Sequence, residues 1–123
     1  MESNICIDLF NEWNQAIQTG DPDRVLPLYA EDAVLLPTLS NRVRHTHAEI
    51  RDYFEHFTEK RPTGVLDESN IRGFGDLLIN SGLYTFTFQD GTTAHARFTF
   101  IYRKTGDRWL IIEHHSSLLP ESD

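Results

Sequence analysis

The chain has a single cysteine, Cys6, so no disulfide can form within it and the fold must be held by packing and hydrogen bonds. No apolar run approaches the roughly 18 residues that a membrane-spanning helix needs. The opening Met-Glu-Ser-Asn lacks the basic segment and apolar stretch of a secretory leader, so no signal peptide is expected. Basic residues are scarce: 11 Lys and Arg face 19 Asp and Glu, for a net charge of −8. That balance repels phosphate backbones and anionic membrane surfaces, so neither nucleic acid nor a membrane is expected as a partner, although a local basic site is not excluded. No His, Cys, Asp and Glu spacing resembles a zinc or iron site. There is no G-x-S-x-G nucleophile turn, and Gly73-Phe74-Gly75 is too short for a phosphate loop and has no helix after it. The expectation is a cytoplasmic protein with no metal and no cofactor.

What is present suits one domain spanning residues 1–123. With 39% hydrophobic and 11% aromatic residues in 123, the chain can bury a core. Ile5, Leu9, Trp13, Ala16 and Ile17 fall on one face of a helix over 4–19, with Ser3 or Asn4 as cap and Gly20 as stop. Asp21-Pro22 starts a second, short helix that closes at Tyr29–Asp32, with Pro27 positioned to bend it. Residues 33–36 read as a short strand ended by Pro37, and 38–45 as a polar loop rich in Arg and His. Arg42, Arg44, His45 and His47 in and beside it read as solvated. Thr46 and Glu49 form a capping box for a helix that buries Ile50, Tyr53, Phe54 and Phe57 and ends near Lys60. Beyond Pro62 the pattern becomes strands: 63–74, 76–89, 92–103 and 108–117, joined by turns at Gly73–Gly75, Asp90-Gly91 and Thr105-Gly106. The fold class is therefore α+β.

Turn geometry fixes strand register. A two-residue turn at Asp90-Gly91 sets Tyr84 opposite Arg97, and one at Thr105-Gly106 sets Arg97 opposite His114 and Thr99 opposite Ile112. Tyr84, Arg97 and His114 then form a row on one face, while Phe98, Phe100, Tyr102, Trp109, Ile111, Glu113 and His115 take the other. A β-bulge in between would exchange these assignments. Both faces carry large apolar residues. One should pack on the helices and the other on a second copy of the chain, giving a homodimer through the outer sheet face.

The Tyr84–Arg97–His114 row is the sharpest constellation. A buried guanidinium requires an anion or several acceptors, so Arg97 can hold a ligand carboxylate with Tyr84 and His114 adding donors. Alternatively it pairs with a protein carboxylate such as Glu113, Asp76 or Glu31 and is structural. His114 can serve as a general acid or base, or as a satisfied core residue. His115 takes its place if a bulge shifts the strand. Tyr53 and Phe57 read as core, on a helix that roofs the pocket.

The stretches "RFTFIYRKTGDRWLIIEHHSSLLP", "WNQAIQTGDPDRVLPLYAEDAVLLP" and "THAEIRDYFEHF" resemble the association domain of calcium/calmodulin-dependent protein kinase II. More closely, they are similar to the stand-alone bacterial relatives of that domain. These sit in the nuclear transport factor two-like superfamily, with the SnoaL-like cyclases and the ketosteroid isomerases. The resemblance implies a cone-shaped, cystatin-like fold, with N-terminal helices packed into a strongly curved, mixed, mostly antiparallel sheet. It also implies dimers through the outer sheet face, which the kinase domain builds into rings. The kinase domain's pocket arginines, which bind small carboxylates, fall here on Ser116, near Tyr84, and at or near Arg97, so at most one basic residue of that set is kept. The superfamily's enzymes use a pocket Asp, and no such Asp can be placed on the inner face of this sheet. The chain carries no kinase domain, so it is not itself a kinase.

Two readings follow. The first is a small-molecule-binding or homo-oligomerising module whose pocket takes a small organic acid or aromatic. Arg97, Thr99, Ser116, Tyr53, Phe57 and His115 would be its contacts. The second is a cofactor-free cyclase, isomerase or hydratase with His114 as base and Tyr84 as acid. A complete hydrogen-bond relay with pocket water favours the enzyme, and a pocket filled by side chains favours assembly.

Overall fold

The computed structural model describes residues 2–38 and 40–121. Helix α1 (Glu2–Gln18) buries Cys6, Phe10, Trp13, Ala16 and Ile17, a stripe at helical spacing. Ser3 and Asn4 lie inside its first turn instead of capping it. Gly20, at a φ of 77°, supplies the left-handed stop. Asp21 caps α2 (Pro22–Val25) by accepting from the Asp23 N–H at 2.9 Å. Pro27 has no N–H to continue the helix, so the chain tightens into a 3₁₀ turn over Leu26–Leu28 and then extends. Strand β1 (Tyr29–Leu36) therefore starts at Tyr29, a residue expected to close a helix, and not at Ala33.

The segment after β1 returns to it through an antiparallel bridge. The Leu35 N–H donates to the Arg44 carbonyl at 2.9 Å, and the Arg44 N–H to the Leu35 carbonyl at 2.8 Å. Leu39, within the expected 38–45 loop, lies outside the described residues. Helix α3 (His47–Glu59) is capped by Thr46, whose Oγ1 accepts from the Glu49 N–H at 3.2 Å. The other half of the expected box is displaced by one residue: the Glu49 carboxylate accepts from the His45 N–H at 2.7 Å. His47 Nε2–H donates to the Tyr29 carbonyl at 2.8 Å, tying α3 to β1.

Four further strands, β2 (Thr63–Phe74), β3 (Leu77–Thr87), β4 (Thr93–Thr105) and β5 (Arg108–Leu118), complete one sheet in the order β1-β5-β4-β3-β2. Only β1 and β5 run parallel. The α+β class and the mixed, mostly antiparallel sheet are as expected. The edge strand β2 is pinned to α1 by Asn14, whose amide donates to the Gly64 carbonyl at 2.9 Å while its oxygen accepts from the Gly64 N–H at 2.8 Å. No helix among the described residues is long and apolar enough to cross a membrane.

Both hairpin registers differ from expectation, for identifiable reasons. The β3–β4 connection is a three-residue loop. Phe88 N–H donates to the Thr92 carbonyl at 2.8 Å, and Gly91 N–H to the Phe88 carbonyl at 2.9 Å, with Gly91 at a φ of 89°. Asp-Gly serves that bulged turn as well as a two-residue one. The extra residue sets Tyr84 opposite Ala96 and Arg97 opposite Leu83. The β4–β5 turn sits one residue later, pairing Thr105 with Arg108. A bulge then follows: Tyr102 pairs with Ile111, but Ile101 pairs with Glu113. His114 consequently faces Phe100, and Arg97 faces Ser117. His114 and Tyr84 share the helix-covered face with Phe98, Phe100, Tyr102 and Ile111. Arg97, Thr99, Glu113 and His115 lie on the outer face.

A further irregularity, between Leu66 and Glu68, bends β2 against β3. Gly82 sits opposite it, where a Cβ would collide with the Glu68 carbonyl oxygen. Gly82→Ala should therefore cost about 1–3 kcal/mol in urea unfolding, because backbone must move to admit the methyl. An unchanged urea midpoint would show that the strand yields freely here.

Candidate functional site

A chain of buried polar groups runs through the core. Trp13, on the α1 stripe, donates its indole N–H to Tyr29 Oη at 3.1 Å. Tyr29 Oη lies 2.8 Å from His114 Nδ1, and Tyr84 Oη lies 3.2 Å from His114 Nε2. Tyr84 donates to Ser116 Oγ at 2.7 Å, and Ser116 is in turn hydrogen-bonded to the Thr38 hydroxyl. Taking Tyr84 as the donor to Ser116 assigns the imidazole tautomer. Tyr84 spends its one hydrogen on Ser116, so it can only accept from His114, which places the ring proton on Nε2. Nδ1 then accepts from Tyr29.

His114 is 3% exposed and stacks on Phe100, with ring centroids 4.0 Å apart at 21°. Trp13 meets it edge-on at 5.5 Å. No carboxylate is among its partners. Burial, with a smaller contribution from neighbouring His115, pushes its pKa down to about 3, so the ring is neutral. Burial likewise drives the Tyr29, Tyr53 and Tyr84 phenols above their ordinary value. Every member is thus uncharged, and the chain as a whole holds Trp13, β1, β3 and β5 in one arrangement.

The space beside this chain is small. A cavity of about 30 Å³, walled by Trp13, Phe54, Phe57, Tyr84, His114 and Ser116 among others, has room for roughly one or two waters. Five of the expected site residues, Tyr84, His114, Ser116, Tyr53 and Phe57, do converge on it. Arg97, Thr99 and His115 do not, because the extra turn residue and the β5 bulge turn them outward. The expected Tyr84–Arg97–His114 row is therefore a Tyr29–His114–Tyr84–Ser116 row with no cation in it. Tyr29 was hidden in the sequence by its apparent place at a helix end. Thr38 was read as loop and Trp13 as plain core.

Arg44, read from sequence as solvated, is buried. Its Nη1 donates to the Glu49 carbonyl at 2.9 Å and to Asp52 Oδ2 at 2.8 Å. Its hydrogen bond, with a smaller effect of its charge, holds the Asp52 carboxyl below its usual range. Among the described residues, no group of three or more His, Cys, Asp or Glu side chains is placed to hold a metal ion.

The family model for the calcium/calmodulin dependent protein kinase II association domain matches residues 2–120. A solved structure from Xanthomonas campestris, assigned to the same association domain, is 44% identical. It superposes with a TM-score of 0.94 over 99% of this chain and 91% of that one. A protein of unknown function from Pseudomonas putida, described as NTF2-like, is 23% identical with a TM-score of 0.81, covering 94% of this chain and 84% of that one. An NTF2-like protein with a cystatin-like fold from Novosphingobium aromaticivorans is 15% identical with a TM-score of 0.81, covering 98% and 84%. The last two likenesses speak for the fold alone. No curated protein matches the chain.

The depressed His114 pKa gives a signed pH dependence. The unfolded chain takes up this proton below about pH 6.5, while the folded state refuses it down to about pH 3. The stability tied to this group is therefore full above about pH 6.5 and falls by up to about 1.4 kcal/mol per unit as pH drops further. His114→Phe keeps a flat ring against Phe100 and should flatten the slope of unfolding free energy between about pH 6 and about pH 4 relative to the parent. Equal slopes in the two proteins would refute the assignment.

Proposed function

Because the chain belongs to the calcium/calmodulin dependent protein kinase II association domain family, we propose that it works as a self-associating module, a homodimer joined through the outer sheet face. The observation that carries this reading is the outer face itself. Ile79 and Ile101 sit opposite each other there, flanked by Leu83, Leu110, Val34 and Leu36. Val65 and Phe74 are 57% and 60% exposed on β2. Apolar side chains at this density on a sheet face with no covering layer fit a protein partner of the same kind. Arg97, Thr99 and His115, turned outward by the extra turn residue and the β5 bulge, fall among them as polar contacts of an interface instead of a pocket.

The inner face supports the same reading. A cavity of about 30 Å³ leaves little room for a ligand beside the core side chains. A cyclase, isomerase or hydratase would need substrate beside His114 or Tyr84, where aromatic rings already stand. The space beside the hydrogen-bond chain is almost wholly taken up by side chains, the arrangement that favours assembly over a reaction site.

A standard interface takes about 800 Å² from each partner, a modest share of the 7036 Å² this chain exposes. Sedimentation equilibrium at micromolar concentration should give twice the 14.2 kDa chain mass. The double variant Ile79→Lys, Ile101→Lys should sediment at the single-chain mass with its circular dichroism unchanged. A parent protein that stays at 14.2 kDa at tens of micromolar would rule the module out.

A further inference from the structure

Several charges on the outer sheet face are partnered within the chain. Arg103 donates to Asp32 at 3.0 Å, Asp67 accepts from the Thr85 hydroxyl at 2.6 Å, and Glu68 accepts from the Asn70 amide at 2.9 Å. Arg97 on β4 and Glu113 on β5 are different. Both are exposed, and among the described residues neither side chain has a hydrogen-bond or ion-pair partner. They cannot serve each other within one copy. Arg97 pairs with Ser117 and Glu113 with Ile101, which leaves roughly 13 Å of β5 between the two levels.

The face is built of rows that cross the strands. Leu83, Arg97 and Ser117 form one, and Ile79, Ile101 and Glu113 form another. Ser81, Thr99 and His115 lie midway between them. A charge covered by an apolar partner surface costs stability unless it is paired. When two copies pack face to face, their two-fold axis lies in the plane between the sheets, and every contact occurs twice. An axis running along β4 sets each row against its own copy, so Arg97 meets the partner's Arg97. An axis along the Ser81–Thr99–His115 row exchanges the other two rows instead. Leu83 then lies over the partner's Ile79. Arg97 lies over the partner's Ile101, one strand spacing of about 4.8 Å from the partner's Glu113.

We propose that the dimer is set in register by two reciprocal ion pairs, Arg97 with the partner's Glu113, about an axis that crosses the strands at Thr99 and His115. This rests on the outer-face dimer proposed above and names the residues that decide which way round the copies dock. The apolar rows supply the contact area, and the two charges disfavour the orientations that set like against like.

Sedimentation velocity of the full chain and its variants over a range of concentrations tests this. Arg97→Glu and Glu113→Arg, each alone, set like charges together at both ends of the interface. Each should weaken the dimer at least about tenfold with circular dichroism unchanged. An equimolar mixture of the two should restore it, because each chain then offers the other the opposite charge at both ends. The double variant Arg97→Glu, Glu113→Arg should restore it as well. Arg24→Glu, the same change of charge on α2 and away from the outer face, should dimerise as the parent does. Single variants as tight as a dimeric parent, or a mixture and double variant no tighter than the singles, would overturn the pairing and leave the outer-face dimer standing. A parent that never exceeds the single-chain mass would overturn both.

Discussion

Everything in the core answers to one constraint: an imidazole at its centre, His114, must be satisfied without charge and without water. A buried polar ring with two nitrogens costs stability unless one finds a donor and the other an acceptor. Tyr29 and Tyr84 supply them at 2.8 and 3.2 Å. Each of those hydroxyls is itself placed by another partner, Trp13 for Tyr29 and Ser116 for Tyr84. The chain reaches α1, β1, β3 and β5, so satisfying one residue aligns both ends of the sequence. Phe100 and Trp13 close the ring's flat and edge faces. The resulting core is filled, which is why the inner face leaves so little free space.

The same constraint shapes what remains outside. Turning His114 and Ser116 inward commits His115 and Ser117 to the outer face, and the three-residue β3–β4 loop sends Arg97 there as well. The polar groups that resembled a ligand pocket thus divide into an inner uncharged set and an outer set beside Ile79, Ile101 and Leu83.

Much of this fold was legible in the sequence. The stripe Trp13, Ala16, Ile17 marked α1, Thr46 marked the start of α3, and Asp90-Gly91 and Gly106 marked the hairpins within a residue. Register was not legible, because an Asp-Gly pair serves loops of two or three residues alike and one residue exchanges the faces of a strand. The bulge after Ile111 has no turn residue to announce it. The parallel pairing of β1 with β5 joins segments with no local signal between them, so Tyr29 could not be linked to His114. Tyr84, His114, Ser116, Tyr53 and Phe57 were found because each is a bulky or polar residue in a strongly patterned element. Arg44 was missed because its partners Glu49 and Asp52 meet it only when the loop returns to β1.

The central claim is that His114 is a neutral, fully bonded core residue carrying its proton on Nε2. Nitrogen-15 NMR of the imidazole, followed from about pH 8 to about pH 4, measures this directly. The account predicts shifts that stay those of the Nε2–H tautomer, with Nδ1 as acceptor, across the whole range in which the protein remains folded. A ring that titrates near its ordinary value of about 6.5, or that carries its proton on Nδ1, would contradict it.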